Sequence, residues 1–191
     1  LEETPFIYLN RRRYDADQTA KIQRAKHVII EHCRAVDFRY SSSKDIIESV
    51  WLPKATSVHA STFYDCDRLV HVSLPAIDSV GDRAFAYCTS MRSIRLGARD
   101  VGDQAFCACL KLQVASLPFA RRASEGLFYR CERLTSVSMP TATTVEFDAF
   151  GLCSSLTTVS FPSVRQVGAY AFYDCEVLET VSLPCLDVVD D

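Results

Sequence analysis

Six phenylalanines recur along the chain at an almost constant spacing, and this repeat restricts the possible folds more than any other feature. The intervals between them are 22, 21, 22, 22 and 22 residues, and each phenylalanine is followed three residues later by a cysteine. The phenylalanines are Phe63, Phe85, Phe106, Phe128, Phe150 and Phe172, and the cysteines are Cys66, Cys88, Cys109, Cys131, Cys153 and Cys175. A period of this length predicts a stack of short units, because one unit alone cannot bury its apolar face and its neighbours can.

Each repeat divides into a strand and a return. In "LTSVSMP" (134–140) apolar residues alternate with serines, which is the period of a β-strand. A proline then ends the strand, since proline cannot donate a hydrogen bond to a neighbouring strand. Six of the seven prolines obey this rule, and Gly97 takes the place once: Pro53, Pro75, Pro118, Pro140, Pro162 and Pro184. The following segment turns the chain back toward the next strand.

Three of these returns, "VGDRAFAYC" (80–88), "VGDQAFCAC" (101–109) and "VGAYAFYDC" (167–175), resemble the BspA-like leucine-rich repeat that is also described from treponemal proteins. The resemblance is strong over 47–191 and weaker over 25–46. It implies a leucine-rich-repeat solenoid, a mostly β horseshoe with a parallel sheet on its concave face and short strand and turn returns on its convex side. "ASEGLFYRC" (123–131) departs from the pattern, and the repeat before it is one residue short, so we expect a local change there.

The repeat frame also divides the chain. We expect residues 1–24 to form an N-terminal capping segment with a short helix over 15–25, where N-cap candidates precede good helix formers. Residues 25–191 hold the repeats, of which 25–46 is degenerate and 178–191 is incomplete. An uncovered last coil would expose core residues, so we expect that further chain or a partner copy covers it. The second alternative predicts self-association through the C-terminal end.

The cysteines and histidines offer little for chemistry. A column of equivalent cysteines between core residues is expected to be buried packing, and their parallel side chains do not suit disulfide geometry. "CAC" (107–109) is a weak metal motif, because Cys107 occupies a variable position of the repeat. The four histidines have no metal-ligand or nucleophile spacing, and no nucleotide-binding glycine motif is present. The sequence therefore predicts no enzyme, no metal site and no cofactor.

Charge and hydropathy limit the classes of partner that the chain can bind. The net charge of −3 does not favour nucleic acid, and the arginine runs at 11–13 and 121–122 are short enough to be solvated surface. No apolar run reaches the roughly 20 residues of a membrane helix, so no membrane insertion is expected within this segment.

The outward strand positions are the expected binding surface, because solenoids commonly bind through a concave sheet. In the C-terminal half these positions hold serine and threonine. In the N-terminal half five larger or charged residues are expected to lie close together: Trp51, His71, Arg92, Arg95 and Glu48. Tryptophan and arginine are enriched at binding hot spots, which favours a partner-binding site. The alternative is that the N-terminal segment covers Trp51 as part of the cap.

The pattern is typical of a non-catalytic module that binds a protein or a glycan. The resemblance implies a cell-surface protein of a microbe or a protozoan, since the family includes surface adhesins. Two alternatives stay open: an intracellular scaffold or targeting module, and a recognition domain of a larger enzyme.

Overall fold

The computed structural model describes residues 6–9, 25–36 and 46–190 of the 191-residue chain. These residues wind into successive coils in which two ladders of parallel strands are joined by turns. One ladder, the concave sheet, begins with β1 (Phe6–Leu9) and continues through β2 (His27–Ile30), β4 (Ser49–Trp51), β6 (His71–Ser73), β8 (Ser93–Arg95), β10 (Val114–Ser116), β12 (Ser136–Ser138), β14 (Thr158–Ser160) and β16 (Thr180–Ser182). The other consists of two-residue strands: β3 (Ala35–Val36), β5 (Ser57–Val58), β7 (Ser79–Val80), β9 (Asp100–Val101), β11 (Arg122–Ala123), β13 (Thr144–Val145), β15 (Gln166–Val167) and β17 (Val188–Val189). The predicted mostly β leucine-rich-repeat solenoid is confirmed.

Strand pairing is interrupted at three places. The concave sheet pairs in the orders β1-β2-β4-β6, β8-β10-β12 and β14-β16, and the short strands pair as β3-β5-β7-β9 and β11-β13-β15-β17. The gap between β9 and β11 lies immediately before the segment that departs from the repeat, in agreement with the expected local change. There the Ser124 hydroxyl, fully buried, donates a hydrogen bond to the Gly102 carbonyl at 2.9 Å.

The third side of each coil is a turn around the buried phenylalanine. The rings stack in one continuous column, with centroid separations from 5.1 Å (Phe63–Phe85) to 5.6 Å (Phe128–Phe150). Three backbone N–H groups of such a turn donate hydrogen bonds to carbonyls of the next coil. They belong to the phenylalanine and to the residues two positions before and after it, as at Arg83, Phe85 and Tyr87. The two flanking residues have left-handed backbones, with φ of 54° at Arg83 and 63° at Tyr87.

Five of the six cysteines in the column are buried as predicted, and five of the six thiols donate a hydrogen bond to the preceding coil. Cys66, Cys88, Cys109, Cys131 and Cys153 have no exposed surface, and no disulfide joins the cysteines of the described ranges. From the second coil of the column onward, each Sγ–H donates to the carbonyl of the phenylalanine 25 or 24 residues earlier, at 3.2 Å.

The two ends of the solenoid differ. At the N-terminal end β1 pairs in parallel with β2, while the helix expected over 15–25 falls almost entirely outside the described residues. In the last coil Val181 is 46% exposed and Val189 62% exposed. The equivalent residues one coil earlier, Val159 and Val167, are 3% and 7% exposed.

Candidate functional site

A cleft of about 570 Å³ lies on the concave sheet across its first four repeat strands. Strands β2, β4, β6 and β8 contribute its lining, and two outward columns cross it. Strand register places His27 beside Ser49 and Ser49 beside His71, while Ile29 lies beside Trp51 and Trp51 beside Ser73. From β8 come Ser93 and Arg95. We refer to this surface as the concave cleft.

An interruption in the sheet coincides with the cleft. Backbone pairing stops between β6 and β8, although both strands contribute lining residues. Val72, at the centre of β6, is only half-buried, whereas its equivalents Val50 and Ile94 are 2% and 3% exposed. The two strands are therefore not held together by a ladder at this point, and the sheet is locally open beneath His71 and Arg95.

Three of the five residues predicted for partner binding line the concave cleft: Trp51, His71 and Arg95. Trp51 is 43% exposed and His71 and Arg95 are also exposed, so their side chains are available on the concave face. The other two, Glu48 and Arg92, lie one residue before β4 and β8 and are not among the lining residues. Glu48 instead pairs with Lys26 at 3.7 Å.

The lining has a distinct chemical character. The residues of the lining that the structure describes combine an indole, a guanidinium, two imidazoles and several hydroxyls, without an aspartate or glutamate among them. His27 Nδ1 lies 2.8 Å from the Ser49 hydroxyl, which orients the imidazole along the sheet. Such a surface offers hydrogen-bond donors and an aromatic face, and it suits a ligand that combines acceptor groups with an apolar part.

The sequence-based site omitted several lining residues, among them His27, Ile29 and Ser93. His27 and Ile29 belong to the repeat that the sequence marks as degenerate, yet they lie 22 residues before Ser49 and Trp51. Extending the two outward columns by one more period would have identified both. Ser93 occurred in the predicted columns but carried no chemical feature that singled it out.

Two of the buried thiols have strongly raised pKa values. Burial raises the pKa of the Cys66 thiol to about 12, with a further contribution from the Asp65 and Asp67 carboxylates. Burial also raises the pKa of Cys109 to about 12, so neither thiol is a nucleophile near neutral pH. Among residues 6–9, 25–36 and 46–190, no three His, Cys, Asp or Glu side chains are grouped to hold a metal ion. In the same ranges no helix has the length and apolar character to cross a membrane.

The chain matches the family model described as BspA type leucine rich repeat region, in six copies over residues 37–125 and 121–189. No curated protein sequence matches it.

Three solved structures are similar to it. A leucine rich cell surface protein of Faecalibacterium prausnitzii superposes with a TM-score of 0.72 and 25% identity, over 78% of this chain and 42% of that one. The leucine-rich repeat protein of T. pallidum superposes with a TM-score of 0.68 and 18% identity, over 81% of this chain and 79% of that one. A leucine-rich repeat protein of Bacteroides ovatus superposes with a TM-score of 0.62 and 19% identity, over 87% of this chain and 57% of that one. The chain thus spans less than two thirds of the F. prausnitzii and B. ovatus proteins.

Proposed function

The chain belongs to the BspA-type leucine-rich repeat family, and on that premise we propose that it is a non-catalytic recognition module which binds a protein or glycan through the concave cleft. The observation that carries the proposal is the grouping of Trp51, His71 and Arg95 around one open cleft. Elsewhere on the concave sheet the first and last residues of β12, β14 and β16, which lie in the outward columns, are serines and threonines. The concave cleft therefore combines an aromatic ring with a guanidinium and an imidazole.

The chemistry of the lining selects the class of partner. The Arg95 guanidinium and the His71 imidazole offer hydrogen-bond donors, and the described residues of the lining include no carboxylate, so the favoured ligand carries an acidic group beside an apolar or sugar ring. An acidic glycan and an acidic protein segment both meet this description.

A location at the cell surface is part of the proposal. It rests on the similarity to the F. prausnitzii protein, which is described as a cell surface protein. The unpaired cysteines do not oppose this location, because burial alone protects a thiol from oxidation in Cys66, Cys88, Cys109, Cys131 and Cys153. The alternatives of an intracellular scaffold and of an enzyme's recognition domain would use the same cleft.

Trp51 is the only tryptophan in the chain, so its fluorescence reports directly on the cleft. The experiment titrates the protein with acidic oligosaccharides and acidic peptides, each beside a neutral counterpart of the same size. We expect a saturable change of Trp51 emission with an acidic ligand only. Arg95→Gln should weaken binding by about 10- to 100-fold, the equivalent of one charge-assisted hydrogen bond.

The matched control is Ser160→Ala, at the position of β14 that is equivalent to Trp51, and it should leave the affinity unchanged. Equal binding of acidic and neutral ligands, or equal affinity of Arg95→Gln and wild type, would contradict the proposal.

A further inference from the structure

A row of exposed aromatic rings lies on the turn side of the last coils, away from the concave cleft. Phe147, Tyr170 and Tyr173 are 45%, 61% and 50% exposed. Their centroids lie 5.7 Å apart for Phe147–Tyr170 and 5.9 Å apart for Tyr170–Tyr173, with interplanar angles of 79° and 86°. The rings therefore form one contiguous edge-to-face array on the surface.

The repeat does not require aromatic side chains at two of these positions. The positions equivalent to Phe147 hold Asp82 and Asp103 in earlier coils, and those equivalent to Tyr170 hold Arg83 and Gln104. Because polar residues satisfy the fold there, the aromatic residues of the last coils contribute something other than packing. An exposed cluster of this kind is characteristic of a contact surface.

A second cleft, of about 390 Å³, adjoins the array. Its lining includes the half-buried Tyr129 and three carboxylates, Glu132, Asp174 and Glu176, against one guanidinium, that of Arg130. Arg130 and Glu132 pair at 3.6 Å. Asp174 connects the cleft to the array, because its carboxylate lies beside the Tyr173 hydroxyl and raises the pKa of that group.

The surrounding chain carries a strong negative charge. Residues 134–191 contain eight acidic residues and one basic residue, Arg165, which gives a net charge of −7. Arg165 is itself paired with Asp187 at 3.0 Å. The preceding 133 residues carry a net charge of +4, so the net negative charge belongs to the part of the chain that bears the aromatic array.

We propose that this surface, the array of Phe147, Tyr170 and Tyr173 with the adjoining acidic cleft, binds arginine and lysine side chains of a basic segment in a partner protein. A cation gains attraction over the face of an aromatic ring, and a guanidinium also stacks on it. The carboxylates of Asp174 and Glu176 supply acceptors for the same cation. Neutral sugars could stack on the rings, but they would leave the negative charge unmatched.

The test measures fluorescence anisotropy of a labelled peptide of alternating arginine and glycine, titrated with the intact chain. We expect saturable binding that weakens with salt. Tyr173→Ala should reduce the affinity by about 3- to 30-fold, within the range of a cation–π contact, and Asp174→Asn should reduce it as well. The lysine version of the peptide should bind more weakly than the arginine version.

Two control variants locate the contact. Tyr87→Ala removes an exposed tyrosine from an earlier coil, where its ring contacts Tyr64, and should leave the affinity unchanged. Trp51→Ala alters only the concave cleft and should also have no effect, so failure of this proposal is distinguishable from failure of the proposed function. Equal affinity of Tyr173→Ala and wild type would mean general charge attraction and would overturn the proposal. Saturable binding of neutral oligosaccharides, without binding of the peptide, would overturn it in favour of a glycan site.

Discussion

The thiol of Cys131 donates a hydrogen bond to the carbonyl oxygen of Phe106, with Sγ and O 3.2 Å apart. The same carbonyl accepts the backbone N–H of Cys109 in its own coil at 3.3 Å. Each such cysteine therefore fills an apolar position and also links two coils by a polar contact. This double role accounts for cysteine rather than alanine or valine at the repeated position.

Replacing Cys131 by serine tests this role. A serine keeps a donor but buries a more polar hydroxyl in the place of sulfur, so we expect a loss of about 1–3 kcal/mol in the free energy of unfolding. Chemical denaturation followed by circular dichroism measures the change. Cys185→Ser is the control, since Cys185 is exposed, and it should shift stability by no more than about 0.5 kcal/mol. Equal effects of the two substitutions would refute the double role.

The raised thiol pKa values predict a loss of stability at high pH. The ordinary thiol pKa is 9.0, and burial raises that of Cys109 to about 12 in the folded chain. Between these two values the unfolded chain releases this proton and the folded chain retains it, so folding weakens as the pH rises above 9.0. Below that pH the thiol is protonated in both states and the contribution is constant.

Denaturation of wild type and Cys109→Ala between pH 8 and pH 11 measures the effect. We expect the stability of wild type to fall more steeply, by up to about 1.4 kcal/mol per pH unit for the one thiol. Parallel slopes in the two proteins would show that Cys109 does not contribute. In the same pH range a soluble disulfide reagent should modify Cys185 before Cys109, because only Cys185 is exposed.

The period in the sequence was sufficient to predict the coil, the buried phenylalanines and cysteines, and the outward positions of Trp51, His71 and Arg95. These features follow from side-chain type at fixed spacing, which the sequence displays directly. The concave cleft was predicted only in part. Its extension to His27 and Ile29 depends on strand pairing in a degenerate repeat, where the backbone keeps the register although the side chains no longer show it.

Two further features have no marker in a single repeat. The interruption of pairing between β6 and β8 occurs between strands whose sequences both fit the pattern. The left-handed residues are equally hidden, because Arg83, Gln104 and Tyr170 are not residues that favour positive φ. At Arg83 and Gln104 this conformation directs the N–H group to a carbonyl of the next coil, that of Asp103 and of Glu125 respectively.

Gly81 is required by close approach of neighbouring coils. A Cβ atom at this position would lie 2.5 Å from the Ala60 nitrogen and 2.8 Å from the His59 carbonyl carbon, both of which are backbone atoms. Gly81→Ala should therefore displace one coil from the other and cost about 1–3 kcal/mol, as overpacking does. Thermal unfolding measures the loss.

Gly97→Ala is the matched control. A Cβ there would meet nothing nearer than the Phe119 ring at 3.8 Å, which is ordinary contact. We expect its midpoint to remain close to that of wild type. An equal loss at both glycines would indicate a general preference for glycine and would contradict the argument from close approach.

Arg83 allows the left-handed positions to be tested at an exposed site. Its φ is 54°, its N–H donates to the Asp103 carbonyl at 2.9 Å, and its side chain bonds Gln104 on the surface. A left-handed backbone costs a non-glycine residue about 1–2 kcal/mol, while glycine loses about 0.5–1 kcal/mol of extra chain entropy on folding. Arg83→Gly should therefore stabilise the fold slightly, by up to about 1 kcal/mol, although the exposed side-chain contact is lost.

Arg83→Val removes the same contact but places a β-branched residue at positive φ, and it should destabilise the fold. The difference between the two variants in chemical denaturation isolates the backbone term, and a valine variant as stable as the glycine variant would show that the left-handed conformation at this position costs nothing.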